Sequence, residues 1–373
     1  MLESNKLCLH TNTPTTSSPL PISQTPVFIL FGPTASGKTA LLEKLFNSPD
    51  VQIRGNNIKA EIISADSMQV YRGMNIGTAK PTTEEQAKLR YHLIDIRNPD
   101  EQFNAGEFVR LAEEACLAAA GRGALPVVSG GTGFYLKNLV LGLGEAPPSD
   151  LKIREALKAE LEKKGAASLM EELAKTDPLS AERIHINDEY RLLRALEVCR
   201  LSGQPLSSYN SPWTPDSSLK KPLTQEQKVE ARRHGEIQSS SQGAGTQEKF
   251  RFLLIGLRRT REELYNRINA RTSLMFKQGL AEEVRRLYEA GYTPDDPGLR
   301  AIGYREFFIK DEASWHLSDD LAGVETLVAQ NSRRYAKRQI TFFTSIPDVK
   351  WVDCSGEEEN TLEIKNLLEE FLM

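Results

Sequence analysis

The clearest chemical signature in the sequence is a glycine-rich octapeptide, Gly32-Pro33-Thr34-Ala35-Ser36-Gly37-Lys38-Thr39. It matches the P-loop spacing G-x-x-x-x-G-K-[ST]. In such a loop the main-chain N–H groups and the positive end of the next helix converge on phosphate oxygens. The lysine adds a charge, and the last hydroxyl holds Mg²⁺. The motif therefore predicts a Mg²⁺-dependent site for a pyrophosphate group, with the metal on Thr39, and leaves open whether the ligand is a nucleotide.

Two further polar segments follow predicted buried strands, where open α/β sheets place their ligands. Asp66 follows the strand predicted at residues 61–65, and it either accepts a proton or helps to hold the metal, or else caps a helix. The strand predicted at 125–129 ends in Gly130-Gly131-Thr132-Gly133. An NTPase commonly ends this strand in a Walker B aspartate, so the glycine turn argues against hydrolysis of ATP or GTP.

Several cationic residues have two interpretations each. Four cations share one broad face of a predicted C-terminal helix, and they bind phosphate or form a solvated face: Arg333, Arg334, Lys337 and Arg338. Arg191 and Arg194 form a weaker patch. Lys80 meets phosphate or solvent, and His92 is either a core histidine or a functional one.

The elements that position these residues alternate between strands and helices, which predicts an α/β fold with a P-loop NTPase-like parallel sheet core. The predicted strands are 27–31, 61–65, 92–96, 125–129, 252–257 and 349–353. Residues 151–214 contain charged amphipathic helices, including 151–164 and 188–201, and form a helical insertion domain. Later helices are predicted at 261–278, 280–290 and 323–343.

The core is thus predicted to comprise residues 27–150 and 250–373, the second part carrying the basic helices. Residues 1–26 form a disordered tail, and 215–249 a flexible loop with almost no large apolar side chains.

Composition fits an ordinary globular protein, with 39% hydrophobic and 26% charged residues. No apolar run reaches the ~20 residues of a membrane span. Four cysteines without close pairs favour a reducing cytoplasm. The net charge of −4 means that any nucleic acid must be held by local basic patches.

Seven segments in order make the chain similar to one enzyme family. They are the octapeptide at 32–39, Ser-Ala-Asp-Ser-Met-Gln-Val-Tyr-Arg-Gly-Met at 64–74, Gly-Thr-Ala-Lys-Pro at 77–81, Gly-Gly-Thr-Gly-Phe-Tyr at 130–135, Arg-Ala-Leu-Glu-Val at 194–198, Arg-Ala-Ile-Gly-Tyr at 300–304 and Arg-Tyr-Ala-Lys-Arg-Gln at 334–339. Together they resemble the tRNA dimethylallyltransferases. That family moves a dimethylallyl group from dimethylallyl diphosphate to the exocyclic amine of the adenosine 3′ of the tRNA anticodon.

The resemblance implies a role for each matching residue. The P-loop and Arg261 bind the diphosphate, Asp66 is the general base, and Thr132 and Arg154 contact the target nucleotide as part of the catalytic site. The segments that contact tRNA in the family match Asp66, Ser67, Met68, Gln69, Thr132, Arg154, Tyr190, Arg191, Leu192, Leu193, Arg194, Arg300, Gly303, Tyr304 and Arg305. The implied partners are tRNA and dimethylallyl diphosphate, without a membrane, and the implied state is a monomer.

The chain departs from the family pattern at three places, which bear on local RNA contacts. Tyr190 stands at a usual glutamine, Phe342 stands at a usual tryptophan, and the 215–249 loop is long. The zinc finger of eukaryotic members is missing, which is typical of bacterial or plastid members.

Two other functions remain open at this point. A P-loop small-molecule kinase would use the octapeptide for ATP and Asp66 as its base. An RNA-binding protein without catalysis would use the loop to hold RNA phosphate.

Overall fold

A parallel sheet lies at the centre of the molecule. The computed structural model describes residues 24–47, 52–53, 55, 57–144, 146–209, 249–312, 314–354 and 357–373. The strands are β1 Thr25–Phe31, β2 Ala60–Ser64, β3 Arg90–His92, β4 Leu125–Gly130, β5 Phe250–Arg258, β6 Phe308–Lys310, β7 Trp315–Leu317 and β8 Lys350–Asp353. Six of them pair in the order β3-β2-β4-β1-β5-β8, all parallel, and β6 and β7 form a separate hairpin. The predicted α/β class is confirmed.

The sheet is covered by helices on both faces, so its central strands are apolar throughout. Residues 27–31 of β1 are fully buried. Val27, Ile29 and Phe31 belong to one core cluster, whereas Phe28 and Leu30 belong to the cluster on the opposite face. This two-sided burial explains why β1 shows an unbroken apolar run instead of an alternating pattern.

The helices of the core occupy both faces and the carboxyl edge of the sheet. They are α1 Lys38–Asn47, α2 Thr83–Lys88, α3 Ala105–Gly121, α4 Gly133–Leu141, α8 Arg261–Lys277, α9 Leu280–Glu289, α10 Leu321–Phe343 and α11 Glu357–Phe371, with α5 to α7 in the insertion below. α3, α4 and the end of α10 pack on one face, and α1 and α11 pack on the other. The predicted α8, α9 and α10 are thereby confirmed.

One predicted strand, at residues 92–96, is wrong. The strand is Arg90–His92, and the chain then turns, because Leu93 and Asp95 adopt left-handed φ angles of 62° and 56°. Lys80 donates a 2.6 Å hydrogen bond to the Asp95 carboxylate, and the main-chain N–H groups of Asp95 and Ile96 donate to the loop after β2. These contacts pull the segment out of the sheet.

Residues 151–209 form three helices with a small core of their own: α5 Leu151–Thr176, α6 Pro178–Arg183 and α7 Glu189–Ser202. α5 is broken at Gly165, whose φ is 77°, and α7 ends at Gly203, whose φ of 67° allows the left-handed cap. The buried Asp177 carboxylate accepts hydrogen bonds from Ser180 and Ser207, which fixes the turns on either side of α6.

The predictions for residues 1–26 and 215–249 fall almost entirely outside the described residues. Thr25 already belongs to β1 and Lys249 directly precedes β5. Among the described helices, none combines the length and apolarity needed to cross a bilayer.

Candidate active site

The P-loop connects β1 to α1 and has the strained backbone that its sequence requires. Ala35 and Gly37 have positive φ angles of 63° and 100°. A Cβ on Gly32 would lie 2.9 Å from Ser36 Oγ and 3.1 Å from Leu257 Cβ, so only glycine fits there. The loop therefore curls tightly at the amino end of α1, where the helix dipole favours an anion.

Lys38 lies inside this curl. Its Nζ donates to the carbonyl oxygens of Gly32 and Pro33, each at 3.0 Å. Desolvation and the nearby Arg271 guanidinium lower the pKa of Lys38 to about 8. The Lys38 ammonium group is thus held in place by neutral carbonyl oxygens. A bound diphosphate supplies the negative charge that stabilises its protonated form.

Three arginines from the end of β5 and from α8 hold the outside of the loop. Arg259 Nε donates to Ser36 O at 2.9 Å, Arg267 Nε to Ala35 O at 2.8 Å, and Arg271 Nη1 to Thr34 Oγ1 at 3.2 Å. Arg267 and Arg271 also line the cavity in front of the loop. Burial lowers the pKa of Arg271, which the Asp66 charge opposes.

Arg261, expected to bind the diphosphate, lies elsewhere. It is exposed at the first position of α8, with its guanidinium 5.1 Å from the centre of the Tyr265 ring, and it does not line the cavity. Arg267 and Arg271, further along the same helix, line it instead. The structure thus places Arg267 and Arg271 at the cavity in front of the P-loop, and Arg261 outside it.

Asp66 lies just past the end of β2 and faces the same cavity. Its Oδ1 accepts a 2.9 Å hydrogen bond from the N–H of Met68, and the residues that follow form a turn instead of a helix. The alternative that Asp66 caps a helix is therefore wrong. The carboxylate is partly exposed at the cavity wall, as a proton acceptor requires.

Thr132 supports Asp66 from behind. Its Oγ1 accepts from the N–H of Ser67 at 3.0 Å and donates to Ser67 Oγ at 3.3 Å, and its own N–H donates to Ala65 O. Thr132 does not itself line the cavity, whereas the preceding Gly130 and Gly131 do. The structure therefore places the Thr132 side chain against the Asp66 turn.

The P-loop and Asp66 share one cavity of about 850 Å³. Its lining includes Thr34, Ala35, Gly37, Lys38, Thr39, Asp66, Ser67, Met68, Gln69, Arg267, Arg271, Arg300, Tyr335, Arg338 and Gln339. The cavity thus has a cationic end at the P-loop, with the Asp66 carboxylate beside it. Its volume lies within the range of small-molecule sites, ~300–1,000 Å³.

The loop at residues 75–80 forms one wall and is held by buried charges. Glu283, 2% exposed, accepts hydrogen bonds from the N–H groups of Asn75, Ile76 and Gly77 and from the Tyr304 hydroxyl. Lys80 is also buried, and its Nζ donates to Tyr71 O at 2.7 Å and to Asp95. Neither of the two interpretations of Lys80, phosphate or solvent, is right, since it is a structural ion pair.

Some of the expected RNA contacts are inaccessible. Leu192 and Leu193, 0% and 6% exposed, form the core of the insertion, and Tyr304, 0% exposed, is buried on Glu283. Gly303 is buried with a φ of 95° and packs against Gly77. The prediction that these four residues contact tRNA is therefore wrong. Their side chains or backbone are buried in the packing of the protein itself.

The remaining predicted contacts fall into two groups. Ser67, Met68, Gln69 and Arg300 line the cavity, and Arg305 is exposed just after the 300–304 motif. The Gln69 side chain is occupied by the protein, because its Oε1 accepts from Ser64 Oγ and its Nε2 donates to Ala79 O.

The second group lies on the insertion. Arg154 stacks its guanidinium 4.7 Å above the exposed Tyr190 ring and donates to Ser149 Oγ, away from the cavity. Arg194 pairs with Glu197 at 2.9 Å, and Arg191, at the exposed start of α7, pairs with Asp188. The structure therefore separates Arg154 from Asp66 and Thr132, with which the prediction had grouped it.

The cations of α10 do not act as one face. Arg338 lies over the Tyr335 ring and lines the cavity, Arg333 donates to Asn269, and Arg334 and Lys337 are exposed. Of these four cations, only Arg338 lines the cavity and is therefore placed to bind phosphate there.

His92 is structural. Its ring lies 2.7 Å from Glu61 Oε2, and Arg122 donates to both carboxylate oxygens of Glu61. The hydrogen bonds from Arg122 and then from His92 lower the pKa of Glu61 to about 2 against the opposing effect of burial. The histidine therefore belongs to an ion cluster at the sheet edge.

Four residues that line the cavity were not predicted from the sequence: Arg267, Arg271, Tyr335 and Gln339. A signal existed for the arginines, since the spacing i, i+4 places both on one face of α8. Tyr335 and Gln339 share the same spacing inside the motif at 334–339, but nothing local shows what they contact. Phe342, at the departure from the family pattern, packs against Gly133, where a Cβ would lie 2.5 Å from its ring.

The chain is similar in sequence to known proteins. Residues 69–346 match the family described as IPP transferase. The tRNA dimethylallyltransferase of Geobacter sulfurreducens is 38% identical over 331 residues, covering 89% of this chain and 93% of that protein. The tRNA dimethylallyltransferase 1 of Syntrophotalea carbinolica is 38% identical over 339 residues, covering 91% and 94%.

The chain is also similar to solved structures. The full-length tRNA isopentenylpyrophosphate transferase of Bacillus halodurans has a TM-score of 0.57 and 32% identity, covering 94% of this chain and 97% of that one. A eukaryotic dimethylallyltransferase acting on tRNA has a TM-score of 0.66 at 23% identity, covering 91% and 77%, which supports the fold alone.

Proposed function

Because the chain belongs to the IPP transferase family, we propose that it transfers a dimethylallyl group from dimethylallyl diphosphate to the N6 amine of adenosine 37, beside the tRNA anticodon, and releases diphosphate. The observation that carries this proposal is the shared cavity: a P-loop, two arginines of α8 and the Asp66 carboxylate line the same space. A site built this way binds a diphosphate and removes a proton.

The diphosphate end consists of the P-loop amides, Lys38, Arg267 and Arg271. As the allylic C–O bond breaks, negative charge accumulates on the departing diphosphate, and these donors stabilise it. Because they are held by the loop carbonyls and by Thr34 before any ligand arrives, little reorganisation is needed.

Asp66 is the proposed general base. The adenine amine forms the new C–N bond to the allylic carbon, the C–O bond to diphosphate breaks, and the amine proton passes to Asp66. The products are N6-dimethylallyladenosine and diphosphate. A positioned base contributes about 10²- to 10⁴-fold in rate.

The residues present also fit Mg²⁺. Thr39 is exposed at the first turn of α1 and lines the cavity together with Asp66. Mg²⁺ prefers one or two protein oxygens plus substrate phosphate oxygens and water. When bound, the ion supplies positive charge to the diphosphate. Among the described residues there is no cluster of three or more acidic, histidine or cysteine side chains, which fits a metal held mainly by substrate.

For tRNA, we propose that α5 to α7 form the helical insertion domain that grips the anticodon stem-loop. Tyr190 and Arg191 are exposed there, Arg300 lines the cavity, and Arg305 is exposed beside it in sequence. The target base must leave the loop stack to enter the cavity, at a cost of a few kcal/mol. Aromatic stacking and phosphate contacts on these surfaces offset that cost.

Incubation with dimethylallyl diphosphate, Mg²⁺ and an unmodified tRNA transcript tests the proposal. Nucleoside mass spectrometry is expected to detect one dimethylallyladenosine per tRNA, and a transcript with guanosine at position 37 is expected to give none. Asp66→Asn should lower kcat at least about 100-fold while tRNA binding persists. Consumption of ATP without RNA would favour the kinase instead, and an unchanged kcat in Asp66→Asn would remove the base from its role.

A further inference from the structure

The P-loop and Asp66 leave the sheet from strands that do not touch. β1 carries the P-loop, β2 carries Asp66, and β4 lies between them. Adjacent strands are about 4.8 Å apart, so the cradle and the base start about 10 Å apart. Beyond the strand ends the ladder no longer fixes this separation, and the glycine turn after β4 is the part of the chain that lies between the two loops.

One side chain from α10 connects that turn to the P-loop. Gln339 Oε1 accepts a 2.9 Å hydrogen bond from the Thr34 N–H, and Gln339 Nε2 donates a 2.8 Å hydrogen bond to Gly131 O. The side chain is buried, with 6% exposure. A Cβ at position 131 would lie 2.5 Å from Gln339 Nε2, so the glycine is needed to admit the amide.

Tyr335, one turn earlier on the same face of α10, continues the network. Burial raises the pKa of its phenol to about 12 against the smaller effects of the nearby Thr132 and Gln339 side chains, so the phenol keeps its proton. Thr132 in turn holds the N–H and hydroxyl of Ser67, the residue after Asp66.

On the basis of the proposed function, we infer that Gln339 and Tyr335 are positioning residues that set the distance between the departing diphosphate and the base. We call this pair the α10 bridge. An amide is required at position 339 because it offers one acceptor and one donor at the same end. Displacements of about 1 Å between reacting groups cost about 100-fold in rate, so the bridge acts mainly on kcat.

The test compares Gln339→Glu, which keeps the acceptor and loses the donor, with Gln278→Glu, the same change at an exposed site at the end of α8. Tyr335→Phe is compared with Tyr292→Phe, the same change at a partly buried tyrosine that does not line the cavity. We expect kcat to fall about 10- to 100-fold in both bridge variants, with KM for dimethylallyl diphosphate changed less than about 3-fold and melting temperature near wild type. The two controls should match wild type.

The pH profile separates positioning from a general loss of structure. As pH falls, the carboxyl group that Gln339→Glu introduces gains a proton and again donates to Gly131 O, so the ratio of variant to wild-type kcat should rise from pH 8 to pH 6. A wild-type kcat in both bridge variants would overturn the inference. So would a kcat loss fully explained by a lower melting temperature.

A measurement without prenyl donor or tRNA keeps this inference separate from the proposed function. In the protein labelled with ¹⁵N-threonine, the Thr34 amide should exchange slowly with solvent, and Gln339→Leu should speed its exchange at least about 10-fold, since the hydrogen bond protects it. Equal exchange in both proteins would refute the bridge. Slow wild-type exchange in a protein that never prenylates tRNA would refute the proposed function and leave the bridge standing.

Discussion

Arg261 and Arg271 lie on the same helix, α8, but only Arg271 lines the cavity, so Arg261 serves as a control for Arg271. Arg271 lines the cavity and contacts Thr34, whereas Arg261 lies over Tyr265 at the solvent-facing start of the helix. We expect Arg271→Ala to raise KM for dimethylallyl diphosphate or lower kcat so that kcat/KM falls at least about 100-fold, as loss of a buried charge-assisted contact predicts. Arg261→Ala should change it less than about 3-fold. Steady-state kinetics checks both, and the reverse order would restore the assignment made from sequence.

The lowered pKa of Lys38 predicts how diphosphate binding depends on pH. The free protein holds its proton with a pKa of about 8, and a bound diphosphate raises that pKa. Binding therefore takes up a proton on Lys38 above pH 8, so the contribution of Lys38 to affinity is constant below that pH and falls as pH rises through it. Calorimetric titration with inorganic pyrophosphate from pH 6.5 to 9.5 should show this loss, and Lys38→Met should bind weakly with a flatter profile. A wild-type affinity independent of pH would contradict the assignment.

The same lowered pKa has the opposite sign for folding. The folded chain holds this proton less tightly than the unfolded chain, whose pKa is 10.5. Lys38 therefore reduces stability at neutral pH, and this effect disappears as pH rises from about 8 to 10.5. The buried Lys38 ammonium thus lowers the stability of the folded protein, and the same charge acts on the ligand.

At the scale of elements, α7 has one apolar face and one basic face. Substitutions of the adjacent residues Leu192 and Arg191 test the roles of these two faces. Leu192→Ala should lower the free energy of unfolding by about 2–5 kcal/mol, since the side chain is fully buried in the insertion core. Arg191→Ala should change it by less than about 0.5 kcal/mol, because its side chain is 73% exposed, but should weaken tRNA binding. Urea denaturation and filter binding measure the two effects. Equal effects of the two variants on unfolding would contradict the assignment of faces.

The loops at the sheet edge depend on helices that lie far away in sequence. α9 supplies Glu283 to the N–H groups at 75–77, and α10 supplies Gln339 to the N–H of Thr34. Each carries a buried acceptor to main-chain N–H groups for which the described residues provide no other acceptor. The positions of the active-site walls therefore depend on the positions of α9 and α10.

At the scale of the whole molecule, charge is distributed locally instead of uniformly. A net charge of −4 gives no cationic field, yet Lys38, Arg267, Arg271, Arg300 and Arg338 all line one cavity. RNA attraction then depends on such local groups, and their effect weakens as salt screens them over about 10 Å at 0.1 M. The fold concentrates cations that lie far apart along the chain.

The sequence alone determined the P-loop, the parallel sheet, the ends of α7 and the position of Asp66. These features depend on local patterns: an apolar run, a glycine spacing, a cap. It failed at 92–96, because the polar contacts of Asp95 that bend this segment come from Lys80 and the loop after β2.

Only the tertiary structure decided which arginine faces the cavity, that Leu192 and Tyr304 are buried, and that Gln339 joins two glycine turns. Thr34 and Gln339 are 305 positions apart, so neither local propensity nor spacing shows their hydrogen bond. A helix has several faces, and packing selects which of them meets the sheet edge. That selection requires the partner surfaces, which exist only once the chain has folded.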